Sequence, residues 1–234
     1  MSIYDLPLRE RKHALTKFAL LDALITKLRD KPLAEISVTE LCKTIPISEV
    51  TFYNYFSKKS DLINCFMQLW SIDLLWHIKK RNIEEGLGLI EEILEFTANT
   101  VEEIPNIMAE IIIMVAQNRN EINFQLLNDA EQLIYSKKRD YPKAISERNL
   151  DALIIPSLEI ALEKGDLPKD VDVQDIYKSI LSILYGVPVA VLYTTATDIS
   201  QKIRSVYRKQ IRNLWQTMQN LSEQNVIEKI TRKK

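Results

Sequence analysis

The sequence predicts an all-α protein, with a small three-helix domain at its N-terminus and a larger helical domain behind it. Apolar residues recur at helical spacing along the chain, and strand-like alternation is absent. Only 4 glycines and 8 prolines punctuate 234 residues, too few for a loop-rich or all-β architecture. Ile, Leu, Lys and Glu are the commonest residues, and Leu, Lys and Glu favour helix.

Composition narrows the class further. Apolar residues at 46% and charged residues at 27% describe an ordinary globular chain. No run approaches 18 consecutive apolar residues, so no membrane partner is expected. Met1 to Arg11 is polar and lacks the apolar core of a signal peptide. Cys42 and Cys65 cannot build a disulfide framework, so the expected compartment is the cytoplasm. Residues 1–60 carry a net charge of +3 and residues 61–234 one of −4, which permits a nucleic-acid face at the N-terminal end.

The first helix is expected over Leu8 to Arg29, where Ala14, Phe18, Leu21, Ile25 and Leu28 share one face. Asp30-Lys31-Pro32 ends it. Ser37 then offers an N-cap, with Glu40 completing a capping box and Ile36 and Leu41 forming a hydrophobic staple. Pro46 stops that helix early. Ser48 caps a second short helix, with Ile47 and Phe52 as its staple. A longer helix runs from about Ser60 to Arg81. Beyond it the periodicity predicts helices over Leu87–Glu103, Pro105–Gln117, Ile122–Lys138, Ser146–Lys164, Gln174–Thr195 and Ile199–Leu221.

The helix after Ser48 has two unlike faces. At about 100° per residue, Phe52 and Phe56 lie about 40° apart and form the buried side. Val50 and Asn54 point the other way, flanked by Thr51 and Tyr53, with Tyr55 at the edge. Asn pairs bidentately with adenine, and Val or Thr methyls meet the thymine methyl. Tyr53 and Tyr55 are placed to hydrogen-bond phosphates, and Lys58 and Lys59 add charge at the next helix start. The competing reading is a plain helical hairpin whose tyrosines fill the edge of a core.

Thr39-Glu40-Leu41-Cys42, Pro46-Ile47-Ser48 and Thr51-Phe52-Tyr53-Asn54-Tyr55-Phe56 with Lys59, Asp61 and Leu62 resemble the DNA-binding signature of the TetR family of bacterial transcription regulators. The resemblance implies a helix-turn-helix domain over 1–57 and a dimerisation and effector-binding domain over 58–234. It implies that Thr39 meets phosphate from the start of the second helix. Glu49, Val50, Thr51, Tyr53 and Asn54 would face bases or backbone in the major groove, and Tyr55 and Lys59 would bind phosphates. Ser48 is a cap first and a contact second. The sequence departs from that pattern twice. Ile45-Pro46 stands where the family carries a small pair, often Ala-Gly. Glu49 puts a carboxylate at the helix entry, which suits the helix dipole but repels phosphate.

Elsewhere the bland readings weigh more. His13 and His77 have no partners at metal-ligand spacing, so no metal or cofactor is expected. Cys42 reads as a packed thiol. No residue set has acid–base or nucleophile spacing, so the chain is read as no enzyme. Phe66, Trp70, Met108, Met114 and Phe124 are candidates to line an effector pocket, which would suit an apolar or aromatic molecule. Ile176, Ile180, Ile183, Val187 and Val191 form one apolar stripe, and Ile203, Val206, Leu214 and Met218 another. By resemblance these build a four-helix homodimer interface.

The function expected from all this is sequence-specific binding of a homodimer to a palindromic duplex operator, as an effector-released repressor. The alternative is a helical ligand-binding or protein-interaction module that has lost operator recognition.

Overall fold

The first α-helix begins at Leu8, directly after Pro7, and Ser37 and Ser48 cap the two short helices that follow. The computed structural model describes residues 3–117, 127–138, 150–194 and 197–231, with side-chain surroundings up to residue 220. Among the described residues there are ten α-helices and no strand. They are α1 (Leu8–Leu28), α2 (Val38–Thr44), α3 (Glu49–Tyr53), α4 (Asp61–Lys80) and α5 (Leu87–Glu103). Then come α6 (Ile107–Gln117), α7 (Asp129–Lys138), α8 (Asp151–Lys164), α9 (Val173–Thr194) and α10 (Ile199–Thr231). The all-α class therefore holds.

The chain divides into two compact units. One comprises Met1–Trp76 and Glu103–Glu147, the other His77–Glu102 and Arg148–Lys234. In the first unit α1 packs against α2 and α7, and α2 against α3. Its core contains Phe18, Leu24, Leu28, Ile36, Leu41, Phe52 and Leu62, all essentially sealed from solvent. Lys17 and Glu131 form a 2.8 Å ion pair between α1 and α7 at the edge of that core. A buried pair of this kind is costly to break from one side, because the surviving charge loses its partner.

In the second unit α9 packs against α8 and α10. Gly165 ends α8 with φ at 83°, the left-handed conformation that glycine adopts without a Cβ clash. The Tyr207 hydroxyl donates to the Leu184 carbonyl at 2.7 Å, fastening α10 to α9. Burial pushes the Tyr207 phenol well above its usual range, with Tyr185 adding to the shift.

Several expectations need correction here. Helix α10 continues to Thr231, ten residues past the expected end at Leu221. Val226, Ile227 and Ile230 continue apolar positions at helical spacing beyond Leu221, and the expected end left them out. In the dimer stripe, Ile176, Ile180, Val187, Val191 and Ile203 are buried within their own subunit. On α9 these residues belong to the helix that packs against α8 and α10. Ile183, Val206, Leu214 and Met218 are half-buried. The side of α9 that remains open carries Ser182, Gly186, Val189, Ala190 and Tyr193, with Tyr193 91% exposed.

Helix α9 is long and apolar enough, by composition, to cross a membrane, with a mean hydropathy of 1.5 over its best window. Counting only unbroken apolar runs missed this, because Tyr, Gly, Ser and Pro interrupt the stretch. Of the residues considered for an effector pocket, Phe66, Met108 and Met114 are buried and Trp70 is half-buried. Phe124 lies outside the described residues, as do the expected helix starts at Ile122 and Ser146.

Candidate nucleic-acid interface

Two serine caps and one proline set the geometry of α2 and α3. The Ser37 hydroxyl accepts the Glu40 amide at 3.0 Å, satisfying one of the free N–H groups at the start of α2. Only that half of the expected capping box forms. The Glu40 carboxylate instead takes Lys27 at 2.8 Å and Lys31 at 2.8 Å. These hydrogen bonds, Lys27 first, hold the carboxyl down to about 2. They tie α2 to the end of α1 and to the loop after it.

The turn between α2 and α3 contains no positive φ; among the described non-glycine residues only Asn82 and Asp198 have one. The Ile47 amide instead reaches the Ile45 carbonyl at 2.6 Å, spanning Pro46. An i to i+2 bond around a proline is an inverse γ-turn, and the ring's fixed φ suits it. The Ile45-Pro46 departure thus has a structural solution that needs no glycine.

Ser48 then caps α3. Its hydroxyl accepts the Thr51 amide at 3.1 Å and lies 2.8 Å from the Thr51 hydroxyl. Phe52 is fully buried and Phe56 nearly so, with ring centroids 5.9 Å apart. This pair fixes the rotation of α3 about its axis. The opposite side therefore stays in solvent: Val50 is 74% and Tyr53 53% exposed, and Glu49 and Asn54 are exposed as well. An exposed valine and tyrosine on a five-residue helix contribute little to folding stability.

The sites expected from sequence fall into two groups. Ser48, Glu49, Val50, Tyr53 and Asn54 share the exposed part of α3, with Thr51 half-buried beside them. The other three positions have partners inside the protein. The exposed Thr39 hydroxyl donates to the Glu49 carboxylate, bracing α2 to α3. Tyr55 is half-buried with its ring 4.5 Å from that of His13 on α1. Lys59 departs furthest from expectation. Its ammonium donates to the carbonyls of Leu33 and Ile36, which lie in the loop before α2. Burial lowers its pKa, while Glu110 acts in the opposite sense. In this structure Lys59 holds that loop, whereas Lys43 on α2 and Lys58 in the segment between α3 and α4 are exposed.

Two residues escaped the sequence reading. Glu110 of α6 is buried and accepts the Leu33 amide at 2.9 Å. Asn106, just before α6, donates to the Leu28 carbonyl at 2.8 Å. Together they fasten the loop after α1 from outside the helix-turn-helix. Nothing local marks them, since both partners are main-chain groups more than seventy residues away. The two cysteines are buried; burial raises the Cys42 thiol, with Glu49 adding to it, and pushes Cys65 up to about 11. Such thiols are poor nucleophiles at neutral pH.

No family model matches the chain, and no curated protein matches it. Among solved structures it is similar to Salmonella enterica GusR, at 20% identity and a TM-score of 0.48, covering 84% of this chain and 95% of that one. It is similar to a probable transcriptional regulatory protein, RHA5900, at 12% identity and a TM-score of 0.44, over 82% and 94% of the two chains. A TetR family transcriptional regulator from Chloroflexus aurantiacus J-10-FL matches at 16% identity and a TM-score of 0.43, over 98% and 95%.

Proposed function

We propose that this chain is a TetR-like, sequence-specific DNA-binding transcription regulator. The observation that carries the reading is the solvent-facing row Val50, Tyr53 and Asn54 on a helix whose other side is locked by Phe52 and Phe56. A methyl surface, a phenol and an amide on one short exposed helix match the edges of base pairs in the major groove. The caps at Ser37 and Ser48 and the Pro46 turn hold that helix in place without using the exposed groups.

In this reading residues 1–57 recognise DNA and residues 58–234 carry dimerisation and effector binding. A homodimer places two α3 helices on the half-sites of a palindromic operator. The protein works in the cytoplasm as a repressor. An effector releases it by binding better to the form whose α3 helices are wrongly spaced, with a coupling of roughly 1–3 kcal/mol. The open side of α9, with Val189 and Tyr193, is the dimer surface this reading uses, in place of the residues already buried.

The test is selection of bound sequences from a random duplex library with the full-length protein. Enrichment of a two-fold-related site supports the proposal; recovery of no preferred duplex overturns it. One alternative has its own support. Lys59 is engaged by main-chain carbonyls and Glu49 adds a negative charge at the helix entry, and both reduce attraction to phosphate. A helical module that had lost operator recognition would show binding with little salt dependence. A phosphate-anchored regulator loses affinity steeply as salt rises.

A further inference from the structure

Helix α10 carries Lys202, Arg204, Arg208, Lys209 and Arg212 between Ile199 and Ser222, with no Asp or Glu among them. Arg204, Arg208 and Arg212 recur every four residues, so they form one row on the helix. The row borders a cleft of about 630 Å³ within the second compact unit, between the end of α4, α5 and α10. That volume lies within the range of small-molecule sites.

Most charge in the cleft is already matched. Glu92 takes His77 and Arg81, each at 2.6 Å. Glu95 takes Arg204 at 3.0 Å and Arg208 at 2.9 Å. Arg212 is different: among the described residues its guanidinium has no ion pair or hydrogen bond, and it is exposed. One turn further on, the Trp215 indole N–H is buried and has no acceptor. Leaving such a donor unmatched costs free energy that an incoming oxygen would recover. The wall beside them is apolar, formed by Leu94, Tyr207 and Ile211, each at most 3% exposed. Glu91, also on the cleft, is exposed and is its remaining negative group.

We infer that this cleft binds a compact organic anion, whose carboxylate or phosphate is held by Arg212 and the Trp215 N–H while its apolar body lies on the Leu94, Tyr207 and Ile211 wall. A fork of guanidinium donors suits either headgroup. The site differs from the pocket expected from sequence around Phe66 and Met108, and so does the chemistry of its ligand.

Calorimetry on the full chain tests this, with benzoate and phenyl phosphate as probes and benzamide as the uncharged counterpart. Both anions should bind saturably, and benzamide about tenfold more weakly or not at all. Arg212→Gln should weaken the anions about tenfold, as expected for losing one charge-assisted contact. Trp215→Phe should weaken them as well. Lys209→Gln, on the same helix but outside this cleft, should leave them unchanged. Arg212 is exposed, so its replacement should not move the melting temperature. Whichever anion binds better supports the site and assigns its headgroup. Absence of saturation by either anion at roughly 10 mM overturns the proposal. Equal binding of benzamide, or a Lys209→Gln effect matching that of Arg212→Gln, also overturns it. No DNA enters the measurement, so its outcome is independent of operator recognition.

Discussion

The Ile47 amide donates to the Ile45 carbonyl at 2.6 Å, closing a three-residue turn around Pro46. This bond turns the chain between α2 and α3 with negative φ throughout, and it makes proline the residue suited to the position. Pro46→Ala should therefore cost about 0.4–1 kcal/mol, because the unfolded chain regains freedom the ring had removed. Urea denaturation measures this, and a variant as stable as the parent would show that the ring does not set the turn.

Lys58 and Lys59 are neighbours with different jobs. Lys58 is exposed, so Lys58→Ala should leave stability unchanged and lower the salt slope of DNA binding by about one. Lys59 holds two carbonyls of the loop before α2, so Lys59→Ala should lower stability by about 1–3 kcal/mol. Paired thermal melts and salt titrations of the two variants separate the roles; equal melting temperatures would contradict the assignment of Lys59.

Glu49 lies at the start of α3 and accepts the Thr39 hydroxyl. Glu49→Gln keeps an acceptor for that hydroxyl while removing the charge. DNA affinity should rise several-fold across unrelated sequences at low salt, since a source of phosphate repulsion is gone. Fluorescence anisotropy with specific and scrambled duplexes reads this. A loss of affinity confined to one sequence would instead make Glu49 a base reader.

Glu40 sets an acid limb of stability. Its carboxyl is held near 2 in the folded protein against an ordinary value of 4.5, chiefly by Lys27 and then Lys31. A depressed folded-state pKa stabilises above the unfolded value and fades as pH falls toward the folded one. The melting-temperature gap between the parent and Glu40→Gln should thus be present at neutral pH and shrink from about pH 4.5 to about pH 2. A gap that persists at pH 2 would place the effect elsewhere.

If the protein dimerises through α9, the contact uses the open side of that helix. Tyr193→Asp and Val189→Asp should shift the mass measured by light scattering toward the monomer without unfolding the chain. Ile180→Asp should unfold it instead, because an unpaired carboxylate in the seam among α8, α9 and α10 cannot be solvated. A folded Ile180→Asp monomer would contradict this division of the helix.

Residue pattern alone was enough to locate the caps at Ser37 and Ser48, the buried Phe52 and Phe56, and the exposed Val50 and Asn54. Those features depend on neighbours a few residues away, where helical geometry dictates what meets what. The partners of Lys59, Glu40 and Tyr55 were not legible. Each is set by where the loop after α1, or α1 itself, lies against the helix-turn-helix. The apolar stripe on α9 is a related case: an apolar face shows that something covers it, and only packing shows that α8 and α10 lie against that helix within the subunit.

The order of helices, their caps and the two-faced character of α3 were therefore decided by the sequence, because each rests on short-range periodicity and local hydrogen bonding. Which charges are free and which are used was decided by tertiary structure. Lys59 is taken by main-chain carbonyls, Glu95 matches Arg204 and Arg208, and Arg212 remains unmatched among the described residues. Coulombic and hydrogen-bond partners are selected by distance in space, and helices far apart in sequence set those distances only when they pack.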